Sequence, residues 1–188
     1  YNFTGPQGFG IANMADSLYA VKTLVFDEHK LSMADLRDAL ANNFGKLRTP
    51  EEAQEITADL AKALAADGFV LNEDQIRSMY QTARTGGIPE EKRLKYEAIR
   101  SMLEDVPKFG NDIPEVDAFA RDVAYTYTRP LQYYKNPRGG QFQAGLYPVS
   151  ANVPLGAQTG ATPDGRYAGT PVADGVSPSA GRDTHGPT

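Results

Sequence analysis

The chain has 188 residues, of which 40% are hydrophobic and 23% charged, with a formal net charge of −5. These values describe one soluble globular domain and lack the basic footprint expected of general nucleic-acid binding. The absence of cysteine excludes disulfides, thiolate metal sites and cysteine nucleophiles from this chain, and no run approaches the roughly 18 to 20 apolar residues of a membrane helix.

The opening YNFTGPQGFG has no initiator methionine and neither region of a signal peptide. An internal piece of a longer protein is the expectation. Residues 1 to 12 are glycine-rich, and Gly5, Gly8 and Gly10 suit turns or close backbone approach. A helix is predicted from about Ala12, with Leu18, Val21, Leu24 and Val25 on one face. Ser32 opens a second helix with Asp35 as capping partner, and Leu36, Leu40 and Phe44 form its stripe. Thr49, Pro50 and Glu52 mark a third start, and Ile56, Leu60 and Leu64 carry that helix to about Ala66. Asn72 and Gln75 open a fourth helix with Ile76, Met79 and Tyr80 inward, ended by Gly86 and Gly87. Pro89 opens a fifth, running to about Glu104 through Leu94, Ile99 and Leu103. The sixth follows Pro114 on a face of Val116, Phe119, Ala120, Val123 and Tyr127, and Pro130 ends or bends it.

The pattern changes at Asn136. Residues 141–149 read as one extended strand interrupted by glycine and proline, as beside a cavity or at a bulge. The last segment, TGATPDGRYAGTPVADGVSPSAGRDTHGPT, holds six glycines and four prolines. Pro163, Asp164 and Gly165 read as a turn, and Arg166 and Arg182 lie near aspartates that they could pair with. So long a structureless segment is rare in a compact domain, which points to packing partners elsewhere or to disorder. No internal repeat is present.

The isolated chemical signals are weak. His29 suits a helix end, and His185 near Asp183 reads as a loop hydrogen bond before an acid–base pair. No spacing suggests zinc or any other metal. GPQGFG has the wrong glycine spacing for a dinucleotide loop and follows no strand. Tyr125, Tyr127, Tyr133 and Tyr134 with Arg129 and Lys135 read as helix-end packing before a base-stacking surface. Asp16 caps or pairs within the helices and, taken alone, gives no reaction.

Four blocks, in order, resemble the glycyl radical enzymes, the pyruvate formate-lyase-like family. They are GFGIANMADSLYAVKTLVF, VPKFGNDIPEVDAFARDV, SANVPLGAQTGATPDGR and the terminal glycine-proline segment. The resemblance covers nearly the whole chain. Its nearest branches are the glycerol and diol dehydratases and choline trimethylamine-lyase. Residues 46–89 are the least family-like and read as a helical insertion in an internal fragment spanning 1–188.

The resemblance implies an α/β fold, part of a ten-stranded β/α barrel, with this fragment predominantly helical. It implies a carbon–heteroatom lyase or dehydratase acting on choline or a small diol. A thiyl radical abstracts hydrogen from that substrate, and a radical SAM activase installs the parent glycyl radical. It also implies a homodimeric, cytoplasmic parent, with a bacterial microcompartment as one setting, and no nucleic-acid or membrane partner. The radical glycine and thiyl cysteine fall outside this chain, so no catalytic residue, metal or bound cofactor is assigned to it, and the isolated fragment is expected to be inactive. Gln143, Tyr147, Ser150 and Asn152 are the expected pocket-lining or supporting residues, with Asn2, Thr4 and Gln7 as a second set. The competing reading is a non-catalytic helical interaction protein or binding module derived from the family. A reading frame extending on both sides, with a cysteine upstream and a glycine loop downstream, favours the enzyme. The isolated chain is expected to fold poorly, because part of a barrel leaves open edges.

Overall fold

The computed structural model describes residues 2–148 and 150–185. Two compact units result, Tyr1–Asn43 with Ile99–Thr188, and Phe44–Ala98.

In the first unit, α1 (Ile11–Val21) continues directly into a π-helical turn, Lys22–Asp27. α2 spans Met33–Ala41. Ser32 caps it: its hydroxyl accepts the Asp35 N–H at 3.0 Å and donates to the Asp35 carboxylate at 2.8 Å. The C-terminal half of α5 (Glu90–Asp105) and all of α6 (Pro114–Leu131) complete the main helices, and a short α7 covers Asn152–Ala157. The expected α6 face is confirmed in part. Val116, Ala120 and Ala124 are buried, and Phe119 meets Tyr19 edge-on with ring centres 5.6 Å apart. Pro130 lies in the last helical turn and does not stop α6 before Leu131.

The α1 face differs from the expected one. Leu18 is exposed, whereas Ala12, Asn13, Ala15, Asp16, Ser17 and Ala20 are buried. The polar members of this face are held by loop residues: Asn13 by Asp164 and the Ala173 N–H, Asp16 by the Phe109 N–H, and Ser17 by the Asp164 N–H.

The second unit pairs α3 (Pro50–Ala66) with α4 (Glu73–Thr85). Both helices start with complete capping boxes. Thr49 accepts from the Glu52 N–H while Glu52 accepts from the Thr49 N–H, and Asn72 and Gln75 do the same. The apolar series of α3 is not its buried face: Ile56 is 40% and Leu60 48% exposed, while Ala53 and Thr57 are buried; of the residues expected inward on α4, Ile76 is exposed and Met79 and Tyr80 are half-buried. Phe44 is buried, but it lies past the end of α2 with φ 54° and does not extend that helix's stripe.

The β/α-barrel expectation is overturned. Among the described residues there is no β-strand, only three isolated bridges: Thr4 with Phe142, Gln7 with Gly145, and Lys135 with Gln141. The expected strand over 141–149 ends on Val149, which lies outside the described residues, as do the last three residues of the terminal segment. Pro6, Gly8, Gly145 and Pro148 interrupt the two facing segments, so pairing stops at single bridges. The fold is helical, with long irregular segments. Residues 152–157, expected to be irregular, form α7 instead.

Candidate functional site

The structure brings five of the seven expected pocket residues side by side. The Thr4 N–H donates to the Gln141 carbonyl at 3.0 Å, and the Gln143 N–H returns to the Thr4 carbonyl at 2.9 Å. Next along, the Gly145 N–H reaches Pro6 and the Gly8 N–H reaches Gly145. Side chains lace the same seam. The Gln7 amide donates to the Tyr147 carbonyl at 2.5 Å, and the Asn2 amide to the Arg138 carbonyl at 2.8 Å. Asn136, which sequence reasoning did not single out, is buried and donates to the Asn2 carbonyl and the Thr4 hydroxyl. Tyr127 donates its hydroxyl to the Pro6 carbonyl at 2.5 Å, and burial raises its pKa above the ordinary phenol value.

Asn152 lies elsewhere: it starts α7, and its amide donates to the Val172 carbonyl at 3.1 Å. Ser150 precedes α7, accepts the Val153 N–H through its carbonyl, and is exposed. Gln143 and Tyr147 are exposed too. The seven residues do not converge on one closed pocket. The apolar cavity of about 260 Å³ beside this seam is lined by Ile11, Ala120, Ala124, Leu146 and Val176, and by none of the seven.

The densest polar arrangement is deeper, where the four resembling blocks meet. Asn13 donates to the Asp164 carboxylate at 2.6 Å and to the Ser179 hydroxyl at 3.0 Å, and accepts the Ala173 N–H at 2.6 Å. Ser17 accepts the Asp164 N–H at 3.2 Å, and Asp16 accepts the Phe109 N–H at 2.8 Å. Asn111 donates to the Lys108 and Arg182 carbonyls and accepts from Thr184 and His185.

The turn at Pro163 is present: the Gly165 N–H donates to the Thr162 carbonyl at 3.0 Å, with Gly165 at φ 90°. The arginines do not form the expected aspartate pairs. Arg166 is buried and caps carbonyls of Thr159, Gly160, Tyr167 and Thr170, and burial lowers its pKa. Arg182 reaches Glu104 at 3.0 Å, an oxygen it shares with Arg100.

Sequence reasoning missed Asn13, Ser17, Asn111 and Ser179. The available signal was helical spacing: residues 12, 13, 15, 16, 17 and 20 form a face of small and polar side chains, without the leucines of an ordinary core stripe.

His29 directs Nδ1 to the Val25 carbonyl at 3.1 Å, and His185 approaches the Asn111 carbonyl at 3.4 Å. Tyr133 and Tyr134 are exposed, while Arg129 lies over the Tyr125 ring at 3.8 Å. Among the described residues, no group of three or more His, Asp or Glu side chains could hold a metal ion, and no helix is long and apolar enough to cross a membrane.

Comparison with known proteins places these features in a family. The chain is 53% identical to the protein whose structure is described under 1,2-propanediol dehydration in Roseburia inulinivorans, with a TM-score of 0.75 over 99% of this chain and 18% of that one. It is 42% identical to the glycerol-bound B12-independent glycerol dehydratase from Clostridium butyricum, with a TM-score of 0.68 over 99% of this chain and 17% of that one. Among curated relatives, Probable dehydratase YbiW of Escherichia coli (strain K12) is 35% identical over 100% of this chain and 18% of its own length. The chain thus spans under a fifth of the length of the relatives it matches. Residues 1–156 match the pyruvate formate lyase-like family, and the chain therefore belongs to that family, the glycyl radical enzymes.

Proposed function

We propose that the full-length protein is a glycyl radical dehydratase of a small vicinal diol, with choline as the alternative substrate for the same carbon–heteroatom cleavage. The observation that carries this reading is the 53% identity, across 99% of the chain, to the protein studied for 1,2-propanediol dehydration. The 42% identity to the glycerol dehydratase supports the diol over choline.

A glycyl radical, installed by a radical SAM activase, supplies the hydrogen-abstracting chemistry. No step of it is assigned here, because this chain contains no cysteine. Its own residues bind and position. Asn2 and Gln7 direct their amide N–H groups to backbone, which leaves each amide oxygen to accept from a substrate hydroxyl. Gln143 and Tyr147 stand next to them and add a third amide and a phenol. We also read 46–89 as a helical insertion, a reading supported by its place within the compact unit Phe44–Ala98, and the parent as a cytoplasmic homodimer.

The test is anaerobic activation of the full-length protein with its activase. The organic radical is counted by electron paramagnetic resonance, and 1,2-propanediol, glycerol and choline are then assayed for aldehyde release. Turnover of 1,2-propanediol is expected. A full radical signal with no turnover of any of the three sinks the reading.

A further inference from the structure

Asp16 occupies the meeting point of α1, the Val106–Asn111 loop and the terminal segment, and it is 0% exposed. One carboxylate oxygen accepts the Phe109 N–H. The other is buried and has no hydrogen-bond partner among the described residues. A carboxylate so placed loses hydration without replacement, which disfavours its charged form.

The charged groups facing it are committed elsewhere. Lys108 directs its ammonium to the carbonyls of Leu103, Glu104 and Val106 at 2.7, 3.3 and 2.5 Å, closing the end of α5. Arg182 pairs with Glu104. Asp164 accepts from Asn13 and Thr162. Burial accordingly pushes the Asp16 pKa up to about 6. The Phe109 bond and the charges of Lys108 and Arg182 act against that rise, and Asp164 adds to it. Burial also lowers the Lys108 pKa.

We propose that Asp16 is a proton-binding site, and that proton uptake there tightens the hold of α1 on the Val106–Asn111 loop. The inference stands on this junction alone and does not depend on the activity proposed above. Because the pKa rises on burial, the closed junction binds the proton more tightly than an opened one. The resulting stabilisation is complete below the ordinary value of 3.8 and is lost as pH rises through about 6.

The test is amide hydrogen exchange on the full-length protein, read as protection factors so that the intrinsic pH dependence of exchange is removed. The reporter is the Phe109 amide, which donates to Asp16. Its protection is expected to fall about tenfold from pH 5 to pH 8 in the wild type. In Asp16→Asn, which keeps the acceptor and removes the titration, it is expected to stay flat. If that variant does not fold, Asp16→Ser serves the same purpose with a hydroxyl acceptor. A wild-type profile flat between pH 5 and 8 overturns the inference without any variant. So does a variant that retains the wild-type slope, and so does a loss of protection at pH 8 in Asp16→Asn, which would mean that the ionised carboxylate has a donor in the full-length protein.

Discussion

Asn13 carries three contacts on one amide: Asp164, Ser179 and the Ala173 N–H. Truncation would leave a carboxylate oxygen, a hydroxyl and a backbone N–H buried without this partner. Asn13→Ala is therefore expected to destabilise the full-length protein by about 2–4 kcal/mol, read from chemical denaturation. Asn13→Asp replaces the amide donor with a second carboxylate facing Asp164 and is expected to be at least as damaging. A cost below about 0.5 kcal/mol for Asn13→Ala would remove the amide from its central place. Gly156 is constrained differently. A Cβ there would run into the backbone of Thr170 and Pro171. Gly156→Ala is expected to cost about 1–3 kcal/mol, because backbone cannot move aside as a flexible side chain can.

Helix starts are where the sequence is most readable, since a cap is a contact between residues three apart. Thr49 with Glu52 and Asn72 with Gln75 stand as the spacing predicts. Thr49→Ala is expected to lower stability by about 1 kcal/mol, measured as the shift of the thermal transition. Helix faces were less legible. Ile56 and Leu60 have helical spacing, yet the buried positions of α3 are Ala53 and Thr57. Periodicity identifies a stripe but cannot say whether its partner surface lies in the same unit. Ile56→Ser is accordingly expected to change stability by under about 1 kcal/mol, well short of a core substitution. Asn13 and Ser17 on the polar face of α1 escaped notice because they resemble solvent-facing residues until the loops that cover them are placed. The barrel expectation came from resemblance to whole enzymes. Among the described residues, the one strand candidate, 141–149, meets Thr4, Gln7 and Lys135 at isolated bridges.

At the scale of the molecule, many large apolar side chains are exposed, among them Phe26, Phe69, Tyr133 and Val70, the last at 95%. The chain spans under a fifth of its relatives' length, and such surfaces in a monomer favour association. The 188-residue chain expressed alone is expected to sediment as oligomers or aggregates. A single monomeric boundary across a tenfold concentration range would contradict this. The family was legible from four ordered blocks, and the structure brings them into contact with one another. Asp16 of the first block takes its bond from Phe109 of the second, and Asn13 and Ser17 hold Asp164 of the third.

The Asn13 contacts also set an order of events during synthesis. Its partners lie 151, 160 and 166 residues further along the chain. At about 5–20 residues per second, the ribosome delivers them roughly 8–30 seconds after α1 has emerged. During that wait the helix presents alanine, asparagine, aspartate and serine where most helices would present leucine. Such a face stays hydrated and attracts few wrong partners, so the long delay carries little risk of premature association.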